Sequence, residues 1–129
     1  YEMLRSLVGS EMCIRDRCLA SNGTGWVQEG RLKSSGILPL LDRVFISEYL
    51  GANKPQLGFF DACFASLPGV KRSESLMLGD SLTSDMLGGK NAGMHTCWYN
   101  PNRLPLPTDG TVEYQIHRLP DLLPLLEKL

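Results

Sequence analysis

Short apolar stretches alternate with segments of helical pattern along most of this chain, and that alternation limits the fold more than any other feature. Residues 18–20, 43–46, 75–78, 95–99 and 111–114 read as strands. They are β-branched, aromatic or continuously apolar, and turn signals bound them. Residues 26–35, 56–67, 82–92 and 119–129 read as helices. In the second of these, Leu57, Phe60, Phe64 and Leu67 recur at spacings of three and four, which predicts one buried face. Gly36 and Pro68-Gly69 suit helix ends, whereas Pro124 weakens the last helix by removing a backbone donor. Strands separated by helices imply a parallel sheet with helical crossovers, an α/β fold. Ligands of such sheets bind beyond the carboxyl ends of the strands, so reactive residues are sought there.

Composition removes several alternatives. The 129 residues carry a net charge of −1, with 21% charged and 43% hydrophobic, as in an ordinary globular chain. No basic excess points to a nucleic acid polymer or an anionic membrane. No apolar run has the length of a membrane span, and the N-terminus lacks the order of a secretory signal. Cys13, Cys18, Cys63 and Cys97 form neither a CxxC pair nor a dense framework, so a reducing cytoplasm is expected. His95 and Cys97 have no second pair to complete a zinc site.

Residues 1–17, YEMLRSLVGSEMCIRDR, keep neither a period of 2 nor one of 3.6. The run SLVGSEMCIRDR resembles translated sequencing-adapter read-through. Residues 1–17 are therefore set aside as a non-native tail that should pack irregularly, and residues 18–129 are taken as the domain. The natural sequence before Cys18 is expected to be missing.

Three motifs stand at three strand ends. Ser21-Asn22-Gly23 follows the first strand and precedes a helix. Its hydroxyl, amide and free N–H groups suit an anion, although an N-cap and turn favour the same residues. Lys54-Pro55 lies in the loop after the second strand. Its ammonium suits a phosphate or paired carboxylates, and a solvated lysine before a helix is the plain alternative. The third motif is Gly79-Asp80-Ser81-Leu82-Thr83-Ser84-Asp85, with Gly88-Gly89 and Gly93 behind it. Magnesium takes oxygen ligands, commonly one or two carboxylates completed by water and substrate phosphate. Acids near a helix start also complement its dipole, but that leaves the glycines unexplained. The glycines would let the helix and the next strand pack close to the backbone.

In this order the motifs resemble motifs II, III and IV of the haloacid dehalogenase (HAD) superfamily, over essentially all of residues 18–129. The resemblance implies a Rossmann-like three-layer α/β/α core with a parallel sheet. It implies that Ser21, Asn22, Gly23 and Lys54 bind the phosphoryl group. Lys54 and Asp80 would be catalytic, Asp80 would bind Mg2+, and Asp85 would be a direct or water-mediated second ligand. The runs Ser21 to Gln28, Ile46-Ser47-Glu48, Ala92-Gly93 and Thr96 to Pro101 look like those of the non-canonical pyrimidine nucleotidases, 5'-nucleotidases acting on nucleoside monophosphates.

Members of that superfamily use an Asp-x-Asp-x-Thr/Val motif on the central strand, whose first aspartate becomes an aspartyl-phosphate. None of the 129 residues forms that motif. The central strand and the helical cap are expected to be absent, and the chain itself inactive. The alternatives are a phosphatase for sugar phosphates or phosphoglycolate, a 2-haloacid dehalogenase, or a non-catalytic phosphate-binding relative.

Overall fold

The computed structural model describes residues 3–8, 14–36 and 41–128. Among them, six strands form one sheet in the order β3-β2-β1-β4-β5-β6. These strands are β1 (Met3–Val8), β2 (Ile14–Ser21), β3 (Arg43–Ile46), β4 (Ser75–Gly79), β5 (His95–Tyr99) and β6 (Tyr114–Ile116). The helices are α1 (Gly25–Ser35), α2 (Ser47–Leu50), α3 (Leu57–Ala65), α4 (Leu87–Asn91) and α5 (Leu122–Lys128).

The parallel pairs β2–β3, β4–β5 and β5–β6 are those the alternating pattern requires. The departure is β1. It lies in the middle of the sheet, antiparallel to both β2 and β4, with Leu4 opposite Cys18 on one side and Met77 on the other. The sheet is therefore mixed. Only residues 9–13 separate β1 from β2, and a connection that short joins antiparallel neighbours, because a parallel pair needs a crossover of a dozen residues or more. Without β1, the facing edges of β2 and β4 would leave two rows of backbone groups unpaired. The irregular packing expected of residues 1–17 is thus not seen at residues 3–8 and 14–17; Cys13 and the rest of residues 9–13 lie outside the described residues.

Successive residues of β4 point to opposite faces. Met77 joins Phe59, Phe60 and Cys63 of α3 in one apolar cluster, with Cys18, Ala20, Phe45 and Met94. Leu76 and Leu78 join Leu122 and Leu126 of α5 in a second cluster, with Cys97 and Ile116. Helices cover both faces, which gives the three layers. Burial of β4 along its whole length explains why its sequence is a continuous apolar run.

Several local expectations shift. In α3 the buried residues are Phe59, Phe60 and Cys63, while Leu57 is exposed and Phe64 half-buried. The helix meets the sheet about one residue around from the stripe the spacing suggested. Residues 82–86 form a π turn before α4, in place of one continuous helix. The last strand lies at Tyr114–Ile116 rather than 111–114, because Thr111 turns into the loop and takes Asp109 as partner. Pro124 falls in the first turn of α5, where helix N–H groups have no intrahelical acceptor. Residues 37–40 and the terminal Leu129 lie outside the described residues.

Candidate active site

A cleft of about 560 Å³ opens beyond the carboxyl ends of β2 and β4. Ser21, Asn22, Gly79 and Asp80 line it from the strand ends, Gln28 and Arg31 from α1, and Tyr99 from β5. Ser21 and Asp80 thus meet at one site although 58 positions separate them in sequence.

The Ser21-Asn22-Gly23 segment is not the N-cap of α1. That position is Thr24, which makes no side-chain cap bond. The amide of Asn22 is spent on the neighbouring loop. Its Oδ1 accepts from Lys54 N–H at 2.8 Å, and its Nδ2 donates to the Lys54 carbonyl at 3.2 Å. This reciprocal pair bolts the first motif to the second through the Lys54 backbone. The Gly23 N–H donates to Ser47 Oγ at 2.9 Å, and that hydroxyl donates to the Gly23 carbonyl at 3.2 Å. Gly23 has φ +143°, and a Cβ there would lie 2.6 Å from Gln28 Nε2, so only glycine fits. Gln28 Nε2 in turn donates to the Asn22 carbonyl at 3.0 Å.

Lys54 is buried, and the peptide that joins it to Pro55 is cis. Its ammonium donates to Asp85 Oδ1 at 2.7 Å, and neither side chain is accessible. A solvated surface lysine, the plain alternative, is not what the fold builds.

Asp80 is exposed at the cleft, immediately after β4. Asp85 lies beneath it. Asp85 Oδ2 accepts the Ser81 N–H at 3.2 Å, and a Cβ on Gly79 would come within 2.2 Å of the same oxygen. Ser81 Oγ caps the turn by accepting the Ser84 N–H at 3.1 Å. Gly88 and Gly89 serve close packing as expected. Their Cβ positions would lie 2.7 Å from the Phe60 ring and 2.9 Å from Met77 Cβ. Gly93 does not; a Cβ there would make only an ordinary contact with Arg72 Cβ at 3.9 Å, and φ +83° makes it a turn glycine.

The donor set suits magnesium in part. No group of three or more His, Cys, Asp or Glu side chains is gathered among the described residues. Magnesium needs only one or two carboxylates with water and substrate oxygens around them. Asp80 meets that need from the cleft wall. Asp85 accepts from Lys54 Nζ through Oδ1 and from the Ser81 N–H through Oδ2, directly behind Asp80 in the turn. The thiols of Cys63 in α3 and Cys97 in β5 are buried. Burial pushes Cys63 up to about 12, with Cys18 adding to the effect, and burial alone pushes Cys97 up to about 12.

Gln28, Arg31, Ser47 and Tyr99 belong to the site or its frame, and no role follows for them from sequence. Gln28, Ser47 and Tyr99 lie in the quoted nucleotidase-like runs, which carry the available signal. Arg31 is brought to the cleft by the phase of α1, which a motif search does not see.

Comparison with known proteins fits this geometry. A family model described as HAD-hydrolase-like matches residues 51–103. The pyrimidine 5'-nucleotidase PynA of Streptococcus pneumoniae is 39% identical over 99% of the chain and 53% of its own length. The pyrimidine 5'-nucleotidase YjjG of Escherichia coli is 36% identical over 85% of the chain and 49% of its own. The crystal structure of the putative HAD-hydrolase YfnB of Bacillus subtilis, bound to magnesium, superposes with a TM-score of 0.81 at 36% identity, over 84% of the chain and 48% of that structure. The chain spans about half the length of the curated relatives it matches.

Proposed function

Since the chain belongs to the HAD-like hydrolase family, we propose that it is part of a magnesium-dependent phosphatase. The reaction is hydrolysis of small phosphomonoesters, specifically pyrimidine nucleoside monophosphates, through an aspartyl-phosphate. The observation that carries this reading is the meeting of Ser21 and Asp80 on one cleft, with Lys54 locked behind them on Asn22 and Asp85. Two relatives named as pyrimidine 5'-nucleotidases support the substrate class.

In this proposal the Ser21 hydroxyl and the Asn22 N–H receive the phosphoryl oxygens beside Gly23, whose own N–H is held by Ser47 Oγ. Asp80 holds the metal. When bound, magnesium supplies positive charge where negative charge gathers during phosphoryl transfer. Lys54 adds to that field from beneath and is kept in place by Asp85 and by the Asn22 amide. None of the 129 residues forms the Asp-x-Asp motif, so we infer that this chain alone is inactive. A carboxylate nucleophile splits the displacement into two easier steps, and the other groups lower that barrier only when it is present. We further propose that residues 1–17 are not native to the fold, and that β1 fills the central position where the family carries the nucleophile strand. The burial of Cys18, Cys63 and Cys97 suits a reducing cytoplasm, and no helix among the described residues is long and apolar enough to cross a membrane.

The test joins residues 18–129 to the N-terminal half of the Streptococcus relative and assays a phosphate-ester panel with and without magnesium. Magnesium-dependent turnover led by pyrimidine monophosphates is the expected result. If sugar phosphates or phosphoglycolate lead in kcat/KM, the nucleotidase reading fails and the phosphatase stands. Metal-free turnover of 2-haloacids in place of phosphate esters sinks both.

A further inference from the structure

Trp98 is 2% exposed and does not line the cleft. It lies on β5 in register with Gly79 of β4, one residue before Asp80. Its indole Nε1–H donates to the Asp80 carbonyl at 3.1 Å. On the other end of the same peptide unit, the Ser81 N–H donates to Asp85 Oδ2 at 3.2 Å. The peptide between Asp80 and Ser81 is therefore gripped at its oxygen by Trp98 and at its nitrogen by Asp85. Fixing that plane removes rotation about the bonds flanking the Asp80 Cα on its carboxyl side. What remains free in Asp80 is mainly its own short side chain, which stands exposed at the cleft.

We propose that Trp98 is a positioning residue for Asp80: together with Asp85 it clamps the Asp80–Ser81 peptide, so that the Asp80 carboxylate is presented to the cleft ready to ligate. The inference rests on the reading of Asp80 as the magnesium carboxylate for its consequence, but the clamp itself is independent of the metal. An indole suits the task because it has one donor and no acceptor, and so its N–H has a single use when buried. Two anchors on one peptide unit lower the entropy that the loop would otherwise lose on binding a cation. The adjoining strand thereby contributes to the site without touching any ligand.

The test compares the full chain with Trp98→Phe, which keeps an aromatic ring and removes the donor. The first readout is amide hydrogen exchange at Ser81, followed by NMR. The second is magnesium affinity by calorimetric titration with MgCl2. We expect Ser81 to exchange about tenfold faster in Trp98→Phe and magnesium to bind about threefold to tenfold more weakly, the worth of one lost hydrogen bond. Unchanged exchange at Ser81 overturns the clamp. Faster exchange with unchanged magnesium affinity overturns the claim that the clamp prepares ligation. If the unaltered chain takes up no magnesium while Ser81 still loosens in the variant, the clamp stands and the metal reading of Asp80 falls. Should Trp98→Phe fail to fold, the same measurements are made on Trp26→Phe with benzothienylalanine at position 98. That side chain keeps the indole shape without the N–H, and Trp26 is 85% exposed and outside the site.

Discussion

The Lys54 ammonium lies 2.7 Å from Asp85 Oδ1, and both side chains are wholly shielded from solvent. A buried pair of this kind is weak as a net source of stability, yet costly to break from one side, because the survivor keeps its charge without a partner. Asp85→Asn and Lys54→Met should each lower the unfolding free energy by about 3–5 kcal/mol, and the double variant Lys54→Met/Asp85→Leu should recover much of that loss. Urea unfolding measures all three. Single variants within about 1 kcal/mol of the parent chain would remove the case for a buried ion pair.

Gly79→Ala should destabilise by about 1–3 kcal/mol, the usual cost of forcing a methyl into a filled core. Its Cβ would meet Asp85 Oδ2 at 2.2 Å. Gly30→Ala is the control, since a Cβ on this exposed α1 residue meets nothing within 4 Å. It should stabilise by up to about 1 kcal/mol through helix propensity. Thermal unfolding of the two variants should therefore shift in opposite directions.

Cys63 and Cys97 are each raised from the ordinary 9.0 to about 12. At pH 8 both should resist a thiol reagent in the folded chain and react on unfolding. The linkage has a definite sign. Between about pH 9 and 12 the folded chain holds protons that the unfolded chain has released, so this contribution is full below pH 9 and is lost as pH rises through that window. Stability that rises from pH 9 to 11 contradicts this assignment.

The purified chain should show no magnesium-dependent release of phosphate from nucleoside monophosphates or an aryl phosphate. Turnover that disappears with Asp80→Ala would mean that a nucleophile has been overlooked.

In the version completed with a nucleophile half, Lys54→Ala should cut kcat by a factor of about 100 or more, with a smaller change in KM. Its charge counts most as negative charge develops in the transition state. Asp80→Asn should raise the magnesium needed for half-maximal rate, and high magnesium should restore part of the activity. A Lys54→Ala effect confined to KM would place Lys54 in ground-state binding alone.

The strand-end placement of the motifs was readable because each needs only local information. An apolar run, a turn and a helix start follow one another within a dozen residues around Ser21 and around Asp80. The strands at Arg43–Ile46 and His95–Tyr99 fall where the sequence put them, since β-branched and aromatic residues bounded by turns have few other uses. The buried face of α3 lies about one residue around from the stripe its spacing predicts, because a helix so apolar offers several faces and only its neighbours choose among them. Phe59 and Cys63 are buried by that choice.

What the sequence determined by itself is the α/β alternation and the identity and order of the reactive residues at its strand ends. Those follow from local propensity, hydrophobic period and turn chemistry. The tertiary structure decided which polar atoms face each other: the Asn22 amide on the Lys54 backbone, Lys54 on Asp85, and Trp98 on the Asp80 carbonyl. It also decided that residues 3–8 pair antiparallel between β2 and β4, because two unpaired strand edges accept any backbone that can reach them. Hydrogen bonds between residues 18 to 32 positions apart depend on how strands are laid side by side, and no local pattern in the chain encodes that.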